Sequence, residues 1–230
     1  MSHTSPCGKT PRGSFVYRQS LNNGVIIAQE EIIGKGCEIM ACSKEMVCTA
    51  AEALGRLEQG NERYLAGAQP PAVTAAQRQS LVAEGQHPYA CIVTCSDSRV
   101  PPEMIFCAGM GDIFVIRTAG NTISGSEMAT IAYAGTHLQV PLVVVMGHTH
   151  CGAVEAALGD DDDEDVQHIV DGIRRMIGSE KDPRRSELKN AQAWAREIAA
   201  STVFAPHIER GGKAVVAALY DTESGEVTFY

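Results

Sequence analysis

Two short apolar runs, Tyr89-Ala-Cys-Ile-Val-Thr94 and Pro141-Leu-Val-Val-Val-Met146, constrain the fold more than any other feature of this chain. Each reads as a buried strand, the pattern of a parallel sheet covered by helices on both faces. Each is closed by a segment rich in chemistry: Cys95-Ser-Asp-Ser-Arg99 after the first, Gly147-His-Thr-His-Cys-Gly152 after the second. Parallel strands end in the crevice where open α/β sheets bind ligands. Two cysteines, a histidine and an Asp/Arg pair are therefore expected at one mouth. Cys95, His148 and Cys151 make a Cys2His set of three protein ligands, which suits a tetrahedral zinc with its fourth position left for water. That is the pattern of a catalytic zinc, not a structural one.

The surrounding sequence supplies the rest of such a fold. Thr49-Ala-Ala-Glu52 is a capping box that opens a helix toward Leu65, and a shorter helical stretch follows over 73–84. A second strand is expected at Asp112–Arg117, and Ser124-Gly-Ser-Glu127 is a second capping box, opening a helix to about Leu138. A helix is expected to start at Cys151, and helical stretches over 164–178 and 186–201 flank a basic turn, Lys181-Asp-Pro-Arg-Arg185. Ala214–Tyr220 and Glu226–Tyr230, joined by a Glu-Ser-Gly turn, read as a hairpin. The fold class expected is α/β: a mainly parallel central sheet flanked by helices, with an antiparallel edge strand near the C-terminus. Residues 46–230 form the single domain, and residues 1–45, with a hairpin-like stretch around Asn22-Asn-Gly24, read as a poorly packed extension.

A formal net charge of −9 leaves no basic footprint for nucleic acid or an anionic membrane, so a small-molecule substrate is expected. No apolar run approaches the ~20 residues of a membrane span. The first residues lack the charged-then-apolar layout of a signal peptide, and a cytoplasmic protein is expected. In that setting the eight cysteines read as metal ligands and free thiols, not as a disulfide framework. Cys91 and Cys107 read as buried thiols, and the spacing of Cys37, Cys42 and Cys48 is unlike a metal knuckle. The acidic run Asp160–Asp165 lacks the alternation and glycine of a calcium loop and reads as solvated.

Spacing within the two motifs suggests how they work. On an extended strand end Cys95, Asp97 and Arg99 share one side, close enough for a charge-assisted Asp97–Arg99 pair. His148 and Cys151 stand three apart, the spacing of neighbours on a helical turn, and a helix starting at Cys151 helps hold its thiolate. Zinc lowers the pKa of bound water to about 7, and a nearby carboxylate can aim the resulting hydroxide at an electrophilic carbon. His150, between the ligands, is expected to point elsewhere.

Cys95-Ser-Asp-Ser-Arg-Val100, Gly111-Asp-Ile-Phe-Val-Ile-Arg-Thr-Ala-Gly-Asn121 and Gly147-His-Thr-His-Cys-Gly152 resemble the motifs of β-class carbonic anhydrases, in particular their plant-like branch. The resemblance runs from about residue 50 to the C-terminus. It implies one Zn2+ per subunit on Cys95, His148 and Cys151, an Asp97–Arg99 catalytic dyad, and reversible hydration of carbon dioxide to bicarbonate and a proton by zinc-bound hydroxide. It also implies a homodimer, or a dimer-based tetramer, whose interface helps build the active site. Gln86, Phe114, Ala119, Tyr133 and the Gly152 amide match substrate-pocket positions, and His137 or Tyr133 offers a proton route. Thr118 departs from the family's usual Asn, and Ala119 is smaller than the valine of plant enzymes. The zinc motif alone does not separate CO2 from carbonyl sulfide or carbon disulfide, and a catalytically silent zinc-binding or thiol-sensing module is the non-enzymatic alternative.

Overall fold

The computed structural model describes residues 48–159, 163–210 and 212–230. The extension 1–45 with its hairpin-like stretch, Cys37, Cys42 and the first half of the acidic run lie outside the described residues. The strands are β1 (Ala90–Cys95), β2 (Ile113–Thr118), β3 (Leu142–His148), β4 (Ala214–Tyr220) and β5 (Val227–Phe229). The helices are α1 (Ala50–Leu65), α2 (Ala75–Glu84), α3 (Pro102–Ile105), α4 (Gly125–Thr136), α5 (Gly152–Leu158), α6 (Gln167–Ile177), α7 (Pro183–Ala199) and α8 (Ala205–Glu209).

The strands form one sheet in the order β2-β1-β3-β4-β5. All neighbours are parallel except the last pair, where β5 closes the edge antiparallel to β4. β1 and β3, the two apolar runs, are buried along their whole length. Side chains alternate across a strand, and the core divides accordingly. Ile92, Val144, Met146, Val216 and Ala218 meet Ala53 and Leu57 of α1 on one face. Cys91, Val93, Val143, Val145 and Ala217 meet Ile131 of α4 and Ala191, Trp194 and Ile198 of α7 on the other. From β1 the chain passes to β2 on one side and then to β3 on the opposite side. The C-terminal ends of β1 and β3 therefore flank the point where strand order reverses, the crevice that doubly wound sheets use for ligands.

Local chemistry sets the helix ends. The Thr49 hydroxyl accepts the Glu52 N–H, and the Glu52 carboxylate accepts the Thr49 N–H; Ser124 and Glu127 form the second box. A third box, Thr74 with Gln77, opens α2. The basic stretch 181–185 is not wholly a turn. Asp182 accepts the Arg185 N–H at 2.8 Å and Pro183 takes the first helical position, where its missing donor costs nothing, so α7 starts three residues earlier than expected.

Candidate metal centre

The two motifs meet at the strand-order reversal. Thr94 of β1 lies level with Met146 of β3, so Cys95 and His148 leave the sheet side by side. Cys151 caps α5 and reaches them through a tight turn in which His150 takes the left-handed backbone conformation, φ 58°. The expected helical spacing of His148 and Cys151 is thus replaced by a strand end, a turn and a helix cap. That turn is pinned to the C-terminal end of β4, beside it: the Thr149 N–H donates to Tyr220 O at 3.0 Å, and the Thr222 N–H donates to Thr149 Oγ1 at 2.9 Å. The ligand atoms of Cys95, His148 and Cys151 all lie within 4.8 Å of one another, and all three residues are buried.

These residues fit a zinc ion. His148 Nδ1 lies 2.9 Å from Thr149 O, and a carbonyl only accepts, so Nδ1 carries the proton and Nε2 presents its lone pair. Nε2 is buried without a hydrogen-bond partner, an arrangement costing about 1–3 kcal/mol unless something coordinates it. The Cys95 thiol is held well below the usual thiol range, first by the neighbouring Cys151 thiol and then by the amides of Asp97 and Gly120, against the effect of burial. The same contact with Cys95, together with burial, pushes the Cys151 thiol up. A divalent cation would hold both as thiolates.

Asp97 and Arg99 stand beside this set, but not on an extended strand. β1 ends at Cys95, and a turn closed by the Val100 N–H on Asp97 O brings the pair together. Asp97 Oδ1 accepts the Arg99 backbone N–H at 2.9 Å and Nε–H at 3.0 Å, while Arg99 Nη2 donates to Oδ2 at 2.7 Å. This fork, chiefly its side-chain hydrogen bonds, holds the Asp97 carboxyl at about 2. Arg99 Nη2 also donates to His150 O at 3.0 Å, tying the first motif to the second. Asp97 Oδ2 is 4.0 Å from His148 Nε2. His150 itself turns outward, with Nε2 3.3 Å from Glu223 Oε1.

Three further residues support the centre in ways the sequence does not convey. Arg117, the cation that closes the apolar run Ile113–Ile116, donates to Cys95 O at 3.0 Å and to Asp97 O at 2.6 Å. Gly120, at φ +60°, donates its N–H to Cys95 Sγ at 3.3 Å. Glu187 of α7, buried and with its carboxyl pushed up mainly by that burial, accepts the Cys151 N–H at 3.1 Å. Nothing in its local sequence marks it.

The pocket residues divide into two groups. Ala119 sits half-buried in the 3₁₀ turn after β2, and Gly152 is the exposed first residue of α5, both next to the centre. Gln86 is exposed ahead of β1, at the opposite end of the sheet. The five steps from Ala90 to Cys95 put about 17 Å between those ends. Phe114 is level with Cys91, near that far end, and its ring lies 6.4 Å from that of Tyr133, on which His137 stacks at 5.0 Å. Cys91, the cross-strand neighbour of Phe114, is an ordinary buried thiol pushed up to about 12 by desolvation.

A family model described as carbonic anhydrase matches residues 90–227. The chain is 38% identical over 181 residues to carbonic anhydrase 2 of Mycobacterium tuberculosis, covering 74% of this chain and 87% of that protein. Its fold is similar to that of the β-carbonic anhydrase CafA of Aspergillus fumigatus, with TM-score 0.61 and 27% identity over 78% of this chain and 89% of the other. It is also similar to the tetrameric β-carbonic anhydrases of Sordaria macrospora, with TM-score 0.58 and 26% identity over 67% and 88%.

Proposed function

Because the chain belongs to the β-carbonic anhydrases, we propose that Cys95, His148 and Cys151 hold one zinc ion per subunit. The enzyme hydrates carbon dioxide reversibly to bicarbonate and a proton. The observation that carries the metal assignment is the buried, partnerless Nε2 of His148 set within 4.8 Å of two thiol sulfurs. When bound, zinc supplies the Lewis acidity that lowers the pKa of water from 15.7 to about 7.

The chain's own residues orient the reaction. Asp97, kept ionised by the Arg99 fork, accepts through Oδ2 the hydrogen bond of the oxygen nucleophile and so directs its lone pair at the substrate carbon. Arg99 offsets part of the charge of two thiolates. The Gly152 N–H and the Ala119 wall complete the near side of the pocket. Gln86, Phe114 and Tyr133, one strand length away, can serve only a second copy's centre. That placement supports a homodimer in which each copy lends these residues to the other, and the tetrameric Sordaria enzymes support its further assembly into a dimer-based tetramer. The same three residues support the plant-like branch, although the Mycobacterium relative is bacterial. The described cysteines form no disulfide, which suits a cytoplasmic location.

Metal analysis and mass determination in solution test this reading. The wild-type chain should carry one zinc per subunit in a dimer or tetramer, and Cys95→Ala should carry none. Zinc absent from the wild type, or retained by Cys95→Ala, would refute it.

A further inference from the structure

The metal centre rests on one turn of α7, a helix to which the motifs assign nothing. Glu187 and Asn190 stand three residues apart and so face the same side. Glu187 Oε1 accepts the backbone N–H of Cys151 at 3.1 Å. Asn190 Nδ2 donates to Gly120 O at 2.9 Å, and the Gly120 N–H donates in turn to Cys95 Sγ at 3.3 Å. One helical turn therefore touches the peptide of one thiol ligand and holds the peptide that grips the other.

Packing alone does not explain these two side chains. Further along α7 the buried residues are Ala191, Trp194, Ala195 and Ile198, an ordinary apolar face. The buried polar side chains of α7, Ser186, Glu187 and Asn190, are confined to its first half. A buried carboxyl or amide weakens a core unless its hydrogen-bonding capacity is met, and Asn190 Oδ1 has no partner. The backbone accommodates the approach: a Cβ on Gly147, the residue before ligand His148, would lie 3.0 Å from Glu187 O.

We propose that Glu187, seconded by Asn190, is a positioning residue for the metal ligands, fixing the directions of the Cys151 and Cys95 sulfurs and slowing metal loss. Neither residue meets the reacting atoms. Glu187 acts through the peptide of Cys151, and Asn190 acts through Gly120. The inference rests on the reading of Cys95, His148 and Cys151 as zinc ligands.

The test compares Glu187→Met, which keeps the side-chain length but removes the acceptor, with Glu187→Gln, which keeps an acceptor oxygen. Three quantities are read: zinc release into a chelator at fixed pH, the visible absorption of the Co2+-substituted protein, and the thermal midpoint of the metal-free protein. Glu187→Met should release zinc about 10–100-fold faster and change the Co2+ spectrum, while Glu187→Gln should stay close to wild type in both. Asn190→Leu should also release zinc faster. Wild-type release and an unchanged Co2+ spectrum in Glu187→Met, even with a lowered metal-free midpoint, would overturn the proposal. If Glu187→Met does not fold, wild-type release by Asn190→Leu overturns it instead. Failure of the wild-type chain to bind zinc at all would refute the metal assignment, a separate outcome.

Discussion

Replacing Gly120 by Ala should unsettle both the fold and the metal centre, by an amount the geometry lets one work out. Gly120 has φ +60°, and a Cβ there would lie 2.6 Å from Ile173 Cδ1 and 3.0 Å from Ala153 Cβ. The left-handed conformation costs an alanine about 1–2 kcal/mol. Forcing a methyl group into a packed site costs about 1–3 kcal/mol more. Together these give roughly 2–5 kcal/mol, a large part of the ~5–15 kcal/mol by which a domain is stable. Relief by shifting the 3₁₀ turn would also pull the Gly120 N–H from Cys95 Sγ. Gly55 is the control: it lies within α1, with nothing within 4 Å of its added Cβ, so Gly55→Ala should be stabilising by about 0.5–1 kcal/mol. Urea denaturation of the metal-free proteins at equal subunit concentration measures both. A Gly120→Ala protein within ~1 kcal/mol of wild type would refute the steric reasoning.

Three further outcomes are expected. Asp97→Asn should bind zinc normally yet lose about 10²-fold or more in CO2 hydration; wild-type turnover would remove Asp97 from the mechanism. The Asp221 carboxyl is held at about 2, first by the Ser224 backbone N–H and then by Arg184, against ~3.9 in an unfolded chain. Its contribution to stability is therefore complete above pH ~4 and is lost as pH falls toward 2; Asp221→Asn should flatten that part of the acid-denaturation curve, and an unchanged slope would count against it. Limited proteolysis should trim the chain to near residue 45 without loss of activity, in keeping with a catalytic domain spanning residues 46–230; loss of activity on trimming would assign the extension a role.

The sheet and the Cys95, His148 and Cys151 cluster were legible because their signals are local. An unbroken apolar run with a Cys or His motif at its end states both a buried strand and what stands at its mouth, and the capping boxes at Thr49 and Ser124 mark helix starts through contacts three residues apart. Residue spacing served less well inside the motifs. The Asp97–Arg99 pair depends on a turn, and the His148–Cys151 pair on the left-handed His150, neither of which periodicity conveys. Least legible were the long-range supports. Glu187 reaches a peptide 36 residues away and Asn190 one 70 residues away, so only the folded chain reveals them. The distance of Gln86 and Phe114 from the Cys95, His148 and Cys151 cluster was equally hidden, because residue spacing does not say at which end of a parallel sheet a residue stands.

Stopped-flow measurement of CO2 hydration by the zinc-loaded protein, from about pH 6.5 to 9, tests most directly whether the centre of Cys95, His148 and Cys151 carries the activity. Turnover should rise with pH as zinc-associated water ionises and should vanish in Cys95→Ala. Zinc bound in full with no hydration at any pH, or hydration that persists in Cys95→Ala, would contradict that assignment.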